Sequence, residues 1–209
     1  PLSLVITSFA RVQDVRNTLT PQLRTDKGAS KLVLIDLGQG KNRLGGSCLA
    51  QVYNDLGTEP ADLDSPELLR GFFNSVQSLI KDNLVWAYHD RSDGGLFTTI
   101  AEMAFAGHCG VKVNLDGLGE DAVSILYSEE LGAVIQVAEA ELDKVQQVFA
   151  ANGLAQCCHV IGDIVAEDNI AFELSGATVL QARRSDYRTI WAETTHQMQS
   201  LRDLSLIHI

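Results

Sequence analysis

Apolar residues along this chain fall into short runs and helical stripes, and their order is the first guide to the fold. Leu32-Val33-Leu34-Ile35-Asp36-Leu37 is a compact run of strand length, and Leu84-Val85-Trp86-Ala87-Tyr88 is a second. Between them Ser65 and Pro66 mark a helix start: the serine oxygen can accept a first-turn N–H, and proline at the first helical position sacrifices no hydrogen bond. Leu68, Leu69, Phe72, Phe73, Val76, Leu79 and Ile80 then form one broad apolar face, predicted to pack on a sheet. Leu49, Ala50, Val52 and Tyr53 predict another helix after Ser47. Leu96, Phe97, Ile100, Ala101 and Ala104 recur at helical spacing until Gly107. Val111 and Val113 alternate as a strand, residues 132–137 read as a core strand, and Leu142, Val145, Val148 and Phe149 mark a helix that Gly153 ends. Val160-Ile161, Ile170-Ala171-Phe172 and Thr178-Val179-Leu180 read as strands before a last helix bearing Tyr187, Ile190 and Trp191. Hairpin-like and strand–helix–strand connections are mixed. The pattern therefore predicts one α/β (α+β) domain, a mixed sheet flanked by helices.

The margins read differently. Leu2 to Thr7 looks like a strand with nothing before it to pair with, as in a piece cut from a longer chain. Arg16 to Lys31 is polar and punctuated by Pro21, Gly28 and Ser30, the best linker in the sequence. Leu204 to Ile209 is a brief apolar end without a helix cap, expected to be an exposed terminus or an appended tail.

Composition narrows the classes of partner. The chain has 209 residues, of which 45% are hydrophobic, enough for a substantial core. Sixteen basic against 27 acidic residues give a formal charge of −11, which repels a nucleic-acid backbone, and Arg183-Arg184 is too small a basic group to offset it. With no long apolar run and no signal-peptide pattern, the expectation is a cytoplasmic protein outside the membrane. Cys48, Cys109, Cys157 and Cys158 are too few and too unevenly placed for a disulfide scaffold, and their spacing to His108 and His159 does not match a zinc site, so reduced thiols are expected.

Chemistry concentrates in Asp90-Arg91-Ser92-Asp93-Gly94-Gly95, between a strand and a helix. Magnesium takes hard oxygen ligands and keeps phosphate as a partner, so Asp90 or Asp93 suits its first shell, while the glycines let backbone N–H groups approach an anion. The competing reading is a capped helix start, with Ser92 or Asp93 satisfying first-turn donors. Gly38 to Ser47 is a second glycine-rich loop that carries Lys41 but lacks the spacing of a phosphate-binding P-loop, and reads as a turn.

Beyond these mechanics, several separated segments resemble one family in the same order. His89 to Leu96 with Ala101 to Gly110, Tyr127-Ser128-Glu129-Glu130-Leu131-Gly132-Ala133-Val134-Ile135, Leu44-Gly45-Gly46-Ser47 and Trp191-Ala192-Glu193-Thr194-Thr195 are similar to the carboxyl-terminal lobe of the aminoimidazole-ribonucleotide (AIR) synthetase superfamily. The resemblance is strongest to the large-form phosphoribosylformylglycinamidine synthases. It implies an ATP-dependent amidoligase of purine synthesis, converting formylglycinamide ribonucleotide to its amidine with ammonia from glutamine. By that comparison residues 1–10 carry the last strand of a preceding core lobe, 11–30 connect, 31–190 form the second AIR synthetase carboxyl-terminal-like domain, and 191–209 are an extension. Asp90 then falls at the family's magnesium-ligand position and Ser92 at a nucleotide contact, with Mg2+ and ATP (or retained ADP) as cofactors. Asp93 is expected to orient the loop or cap its helix, and His89 to be packed or hydrogen-bonded rather than a general base. The implied partners are the remaining synthetase lobes and a glutaminase domain of the same polypeptide. No segment resembles the glutaminase nucleophile, so this piece is expected to be inactive alone. Two alternatives stay open: a structural or regulatory lobe that holds nucleotide without turnover, and another enzyme of the same superfamily.

Overall fold

The computed structural model describes residues 6–12 and 14–204, with side chains through residue 203. Among them the strands and α-helices follow as β1 (Ser30–Asp36), α1 (Cys48–Val52), α2 (Pro66–Lys81), β2 (Val85–Asp90), α3 (Gly95–Gly107), β3 (Gly110–Asn114), α4 (Ala122–Tyr127), β4 (Gly132–Ala138), α5 (Leu142–Ala151), β5 (Cys158–Val165), β6 (Ile170–Leu174), β7 (Ala177–Ala182) and α6 (Arg184–Leu204). The strands form one sheet in the order β2-β4-β1-β5-β3-β6-β7. Every neighbouring pair is antiparallel except β3 and β6, so the sheet is mixed, as the periodicity predicts.

β1 is the spine, and its alternation explains why helices lie on both sides. Leu32 and Leu34 enter a core with Leu96, Ile100 and Met103 of α3, Ile125 and Leu126 of α4, and Phe172 of β6. Val33 and Ile35 enter a second core with Val76 and Leu79 of α2 and Val145 and Phe149 of α5. Successive strand residues point to opposite faces, so the four apolar residues in a row, Leu32 to Ile35, serve a strand covered on both faces. Towards β3, β6 and β7 the second face is open: Lys112 and Glu173 form an ion pair there at 2.9 Å, and the second core contributes no residue from these strands.

The structure refines several expectations. α1 has only five residues, and Val52 and Tyr53 project into solvent, because the apolar spacing there is too short to give a buried face. Along α2 the apolar stripe is wider than the sheet can cover: Leu79 is fully buried, whereas Phe73 is 60% exposed. The polar stretch expected only to connect is strapped to the body. Its Leu23 is buried in the first core, Thr20 O accepts from Tyr88 N on the edge of β2, and the Gln136 amide receives Arg24 N at 2.7 Å and donates to Arg24 O at 2.9 Å. α4 lies in a segment whose apolar pattern predicts no element. The strand expected at Leu2 to Thr7 falls mainly outside the described residues, and its Ile6 and Thr7 take no strand conformation. No helix among the described residues is long and apolar enough to cross a membrane.

Candidate functional site

Register brings the sequence motifs together. Asp36 at the end of β1 pairs with Gly132, and Asp90 at the end of β2 pairs with Ala133, so both strands finish where β4 begins. The loops 37–47, 91–94 and 128–131 consequently meet at one end of the sheet.

Two buried ion pairs fix these loops. Arg91 donates to Asp36 Oδ1, to Glu130 O at 2.6 Å and to Leu131 O at 3.2 Å. Asp36 in turn accepts Gly38 N at 3.1 Å and Gly40 N at 2.7 Å, so one carboxylate shapes the glycine-rich turn while its partner anchors the Asp90 loop. The second pair joins Arg43 and Glu130 through two bonds of 2.7 Å, and Arg43 continues to Asp64 at 2.8 Å. Hydrogen bonding to Glu130 is the main reason the Arg43 guanidinium is held further into its charged form. Lys41 also pairs with Asp64, at 2.9 Å. The basic side chains of these loops are therefore committed to protein carboxylates.

Asp90 is treated differently. Its carboxylate is exposed, yet Oδ1 accepts from the Tyr88 hydroxyl at 2.6 Å, and Oδ2 accepts nothing from the described protein. Burial, reinforced by Asp90, pushes the Tyr88 phenol upward, so it stays a neutral donor. The Asp90 carbonyl accepts from Thr99 Oγ1 of α3 at 3.2 Å and from His89 Nδ1 at 2.9 Å. Three side chains thus hold a residue that solvent touches. Ser92 is exposed too, and its hydroxyl makes no hydrogen bond to the described protein, while its carbonyl accepts Gly95 N at 2.9 Å. Neither ring nitrogen of His89 is free: Nε2 lies 2.8 Å from Glu102 Oε2.

The expected capping role of Asp93 does not hold. Gly94 occupies the position before α3 in the left-handed region at φ 79°, no side chain caps it, and its N–H goes instead to Glu129 Oε1 at 2.8 Å. The same oxygen accepts Cys48 N at 2.9 Å, so a carboxylate from a distant loop does the work that sequence reasoning gave to a local one. At Gly95 a Cβ would lie 2.7 Å from the carbonyl oxygens of Leu126 and Ser128, so only glycine lets the loop seat this close to the 128–131 turn.

Among the described residues, the grouping whose side-chain atoms could share a metal ion is Cys48, Asp93 and Glu129, within 4.8 Å of one another, and Asp90 is not part of it. Burial, followed by Glu129, raises the Cys48 thiol, which keeps it protonated and a poor partner for a hard cation. Asp90, by contrast, presents one carboxylate oxygen held by Tyr88 and one that accepts nothing from the described protein. Sequence reasoning missed Asp36, Arg91, Tyr88, Thr99 and the clamping role of Glu129 and Glu130. The adjacent acids Glu129 and Glu130, in a segment that ends buried, were the available signal.

Comparison with known proteins agrees with this architecture. The family described as AIR synthase related protein, C-terminal domain, matches residues 30–175. Thermotoga maritima PurL complexed with ATP superposes with a TM-score of 0.64 at 12% identity, covering 82% of this chain and 27% of that one. The same organism's PurL complexed with FGAR gives 0.63 at 13% identity, covering 82% and 29%. HypE of E. coli, a hydrogenase maturation protein, gives 0.53 at 18% identity, covering 77% and 50%. The chain thus spans little more than a quarter of the PurL chains it matches. At these identities the likeness is one of fold, and the expected AIR synthetase carboxyl-terminal-like architecture is borne out.

Proposed function

Because the chain belongs to the AIR synthase related protein family, as its C-terminal domain, we propose that it is one lobe of a large-form phosphoribosylformylglycinamidine synthase. In this reading it supplies part of an ATP site whose remaining walls, and the glutaminase that provides ammonia, belong to other parts of a longer cytoplasmic polypeptide. The observation that carries the reading is the treatment of Asp90: an exposed carboxylate held by the Tyr88 hydroxyl, on a residue whose backbone carbonyl accepts from His89 and Thr99, at the sheet end where the motif segments converge.

In this proposal Asp90 Oδ2 would hold magnesium and the Ser92 hydroxyl would donate to a phosphate oxygen without adding negative charge. When bound, the ion would offset charge developing on a transferring phosphoryl group. Arg91 does not take that part, since it is spent on Asp36 and two carbonyls. Its contribution is to keep Asp90 and the glycine turn in fixed relation. The T. maritima PurL structures with ATP, AMPPCP and ADP support nucleotide as the ligand class.

The commitment of Arg43, Lys41 and Arg91 to carboxylates favours a second reading, in which this lobe retains nucleotide without turning it over. Titration of Mg–ATP into a longer protein that restores the companion lobe, followed by single-turnover analysis of the bound nucleotide, separates the two. Absence of magnesium-dependent binding there would remove both.

A further inference from the structure

Glu102, on the face of α3 turned towards both β2 and α6, connects regions far apart in sequence. Its Oε2 meets His89 Nε2 at 2.8 Å, and its Oε1 accepts the indole N–H of Trp191 at 2.9 Å. The other nitrogen of the same imidazole reaches the Asp90 carbonyl oxygen at 2.9 Å, and a carbonyl only accepts, so Nδ1 is the donor there. Trp191 is itself seated by Phe105, with ring centres 5.9 Å apart, and covered by the Arg188 guanidinium at 4.8 Å. A chain of contacts therefore runs from α6 through one carboxylate to the backbone of the residue that ends β2.

The geometry points to Glu102 as a positioning residue: it holds the Asp90 end of β2 through His89 and, with its second oxygen, docks α6 in a fixed register against α3. The functional side of this inference rests on the reading of Asp90 as the ion-bearing carboxylate. Its structural side does not. Each oxygen has one task, so the two tasks separate by substitution. Glu102→Ala loses both. Glu102→Gln keeps an oxygen for the Trp191 indole and presents an N–H to His89 Nε2, which accepts while Nδ1 still donates to Asp90. Trp191→Phe removes only the α6 arm.

The first test is hydrogen exchange on the 209-residue chain itself, with circular dichroism confirming that each variant is folded. In Glu102→Ala, amides of residues 90–95 should exchange about tenfold faster, as local opening becomes easier. Glu102→Gln should stay within about twofold of the parent, and Trp191→Phe should accelerate exchange in the first turns of α6 while sparing 90–95. Parental exchange at 90–95 in Glu102→Ala, loss of protection there in Glu102→Gln equal to that in Glu102→Ala, or an equal effect from Trp191→Phe overturns the proposal. The second test uses a longer protein that restores the companion lobe. Glu102→Ala and His89→Ala should each raise the Mg2+ concentration for half-maximal ATP binding about fivefold, and together no further than either alone, because they break one chain of contacts. If exchange responds but the Mg2+ dependence does not, the positioning role stands and the assignment of Asp90 to the ion falls.

Discussion

Asp36 and Asp90 end two strands that flank β4 at the same edge of the site, and they have opposite fates. Asp36 is 3% exposed and its charge is consumed by Arg91 and two glycine N–H groups, whereas Asp90 faces solvent with a neutral phenol on one oxygen. A guanidinium cancels a carboxylate's charge. A phenol aims the carboxylate and leaves the charge to spend on a ligand. The identity of the nearest donor, more than the presence of an acid, tells which carboxylate serves the fold and which is available for chemistry.

The buried half of that contrast carries the greatest energetic consequence. Arg91→Ala strips buried Asp36 of its counter-charge and leaves it only the two glycine N–H groups, which should cost about 3–5 kcal/mol of stability in a urea titration. A loss below about 1 kcal/mol would mean that solvent reaches Asp36 and that the two aspartates are not opposites. Asp90→Ala reverses the pattern. Its unfolding free energy should stay within about 0.5 kcal/mol of the parent. Its Mg–ATP affinity in the longer protein should fall by about one to several kcal/mol, measured calorimetrically, and by more than in His89→Ala. Binding like the parent would return Asp90 to the status of an ordinary surface acid.

Ser92→Ala sharpens the contrast on a smaller scale. Losing one neutral hydrogen bond to phosphate should weaken nucleotide binding by about 0.5–1.5 kcal/mol and leave the magnesium dependence alone. The smallest effect concerns Asp64, the outer end of the Arg43 network, whose carboxyl Lys41 and then Arg43 hold below its ordinary value of 3.8. A group lowered by folding stabilises the native state above its unfolded value and loses that contribution as pH falls through the folded one. Asp64→Asn should therefore flatten the acid limb of stability below about pH 4 and leave neutral pH almost untouched, as thermal unfolding across pH will show. An unchanged acid limb would place the sensitivity elsewhere.

The order of elements was readable because local rules and the fold agree. Ser65 Oγ does accept Leu68 N at the start of α2, and the unbroken run in β1 does mark a strand buried on both faces. The fold class followed. What stayed hidden was decided by partners remote in sequence. Nothing in Ser92 or Asp93 tells that Glu129 will cap the loop, and nothing in Arg91 tells that it turns inward to Asp36. Likewise a polar stretch read as a linker, because Leu23 alone gives no periodicity although it anchors the strap. Of the site, Asp90 and Ser92 were named from a resemblance; Tyr88, two residues from Asp90 on the same strand, was within local reach and was missed, whereas the Thr99 bond to the Asp90 carbonyl emerges only once β2 and α3 are side by side.

The central strand also governs how the molecule comes to be made. β1 is synthesised early, yet its two neighbours are β4, where Ser30 meets Ala138, and β5, where Val33 meets Val160. Both arrive after most of the domain has left the ribosome. At elongation rates of about 5–20 residues per second, an apolar strand with two open edges waits several seconds for its partners. Such a strand pairs readily with a neighbour's, so the same run that makes the sheet's centre is the nascent chain's greatest aggregation hazard and the segment a chaperone has most reason to shield.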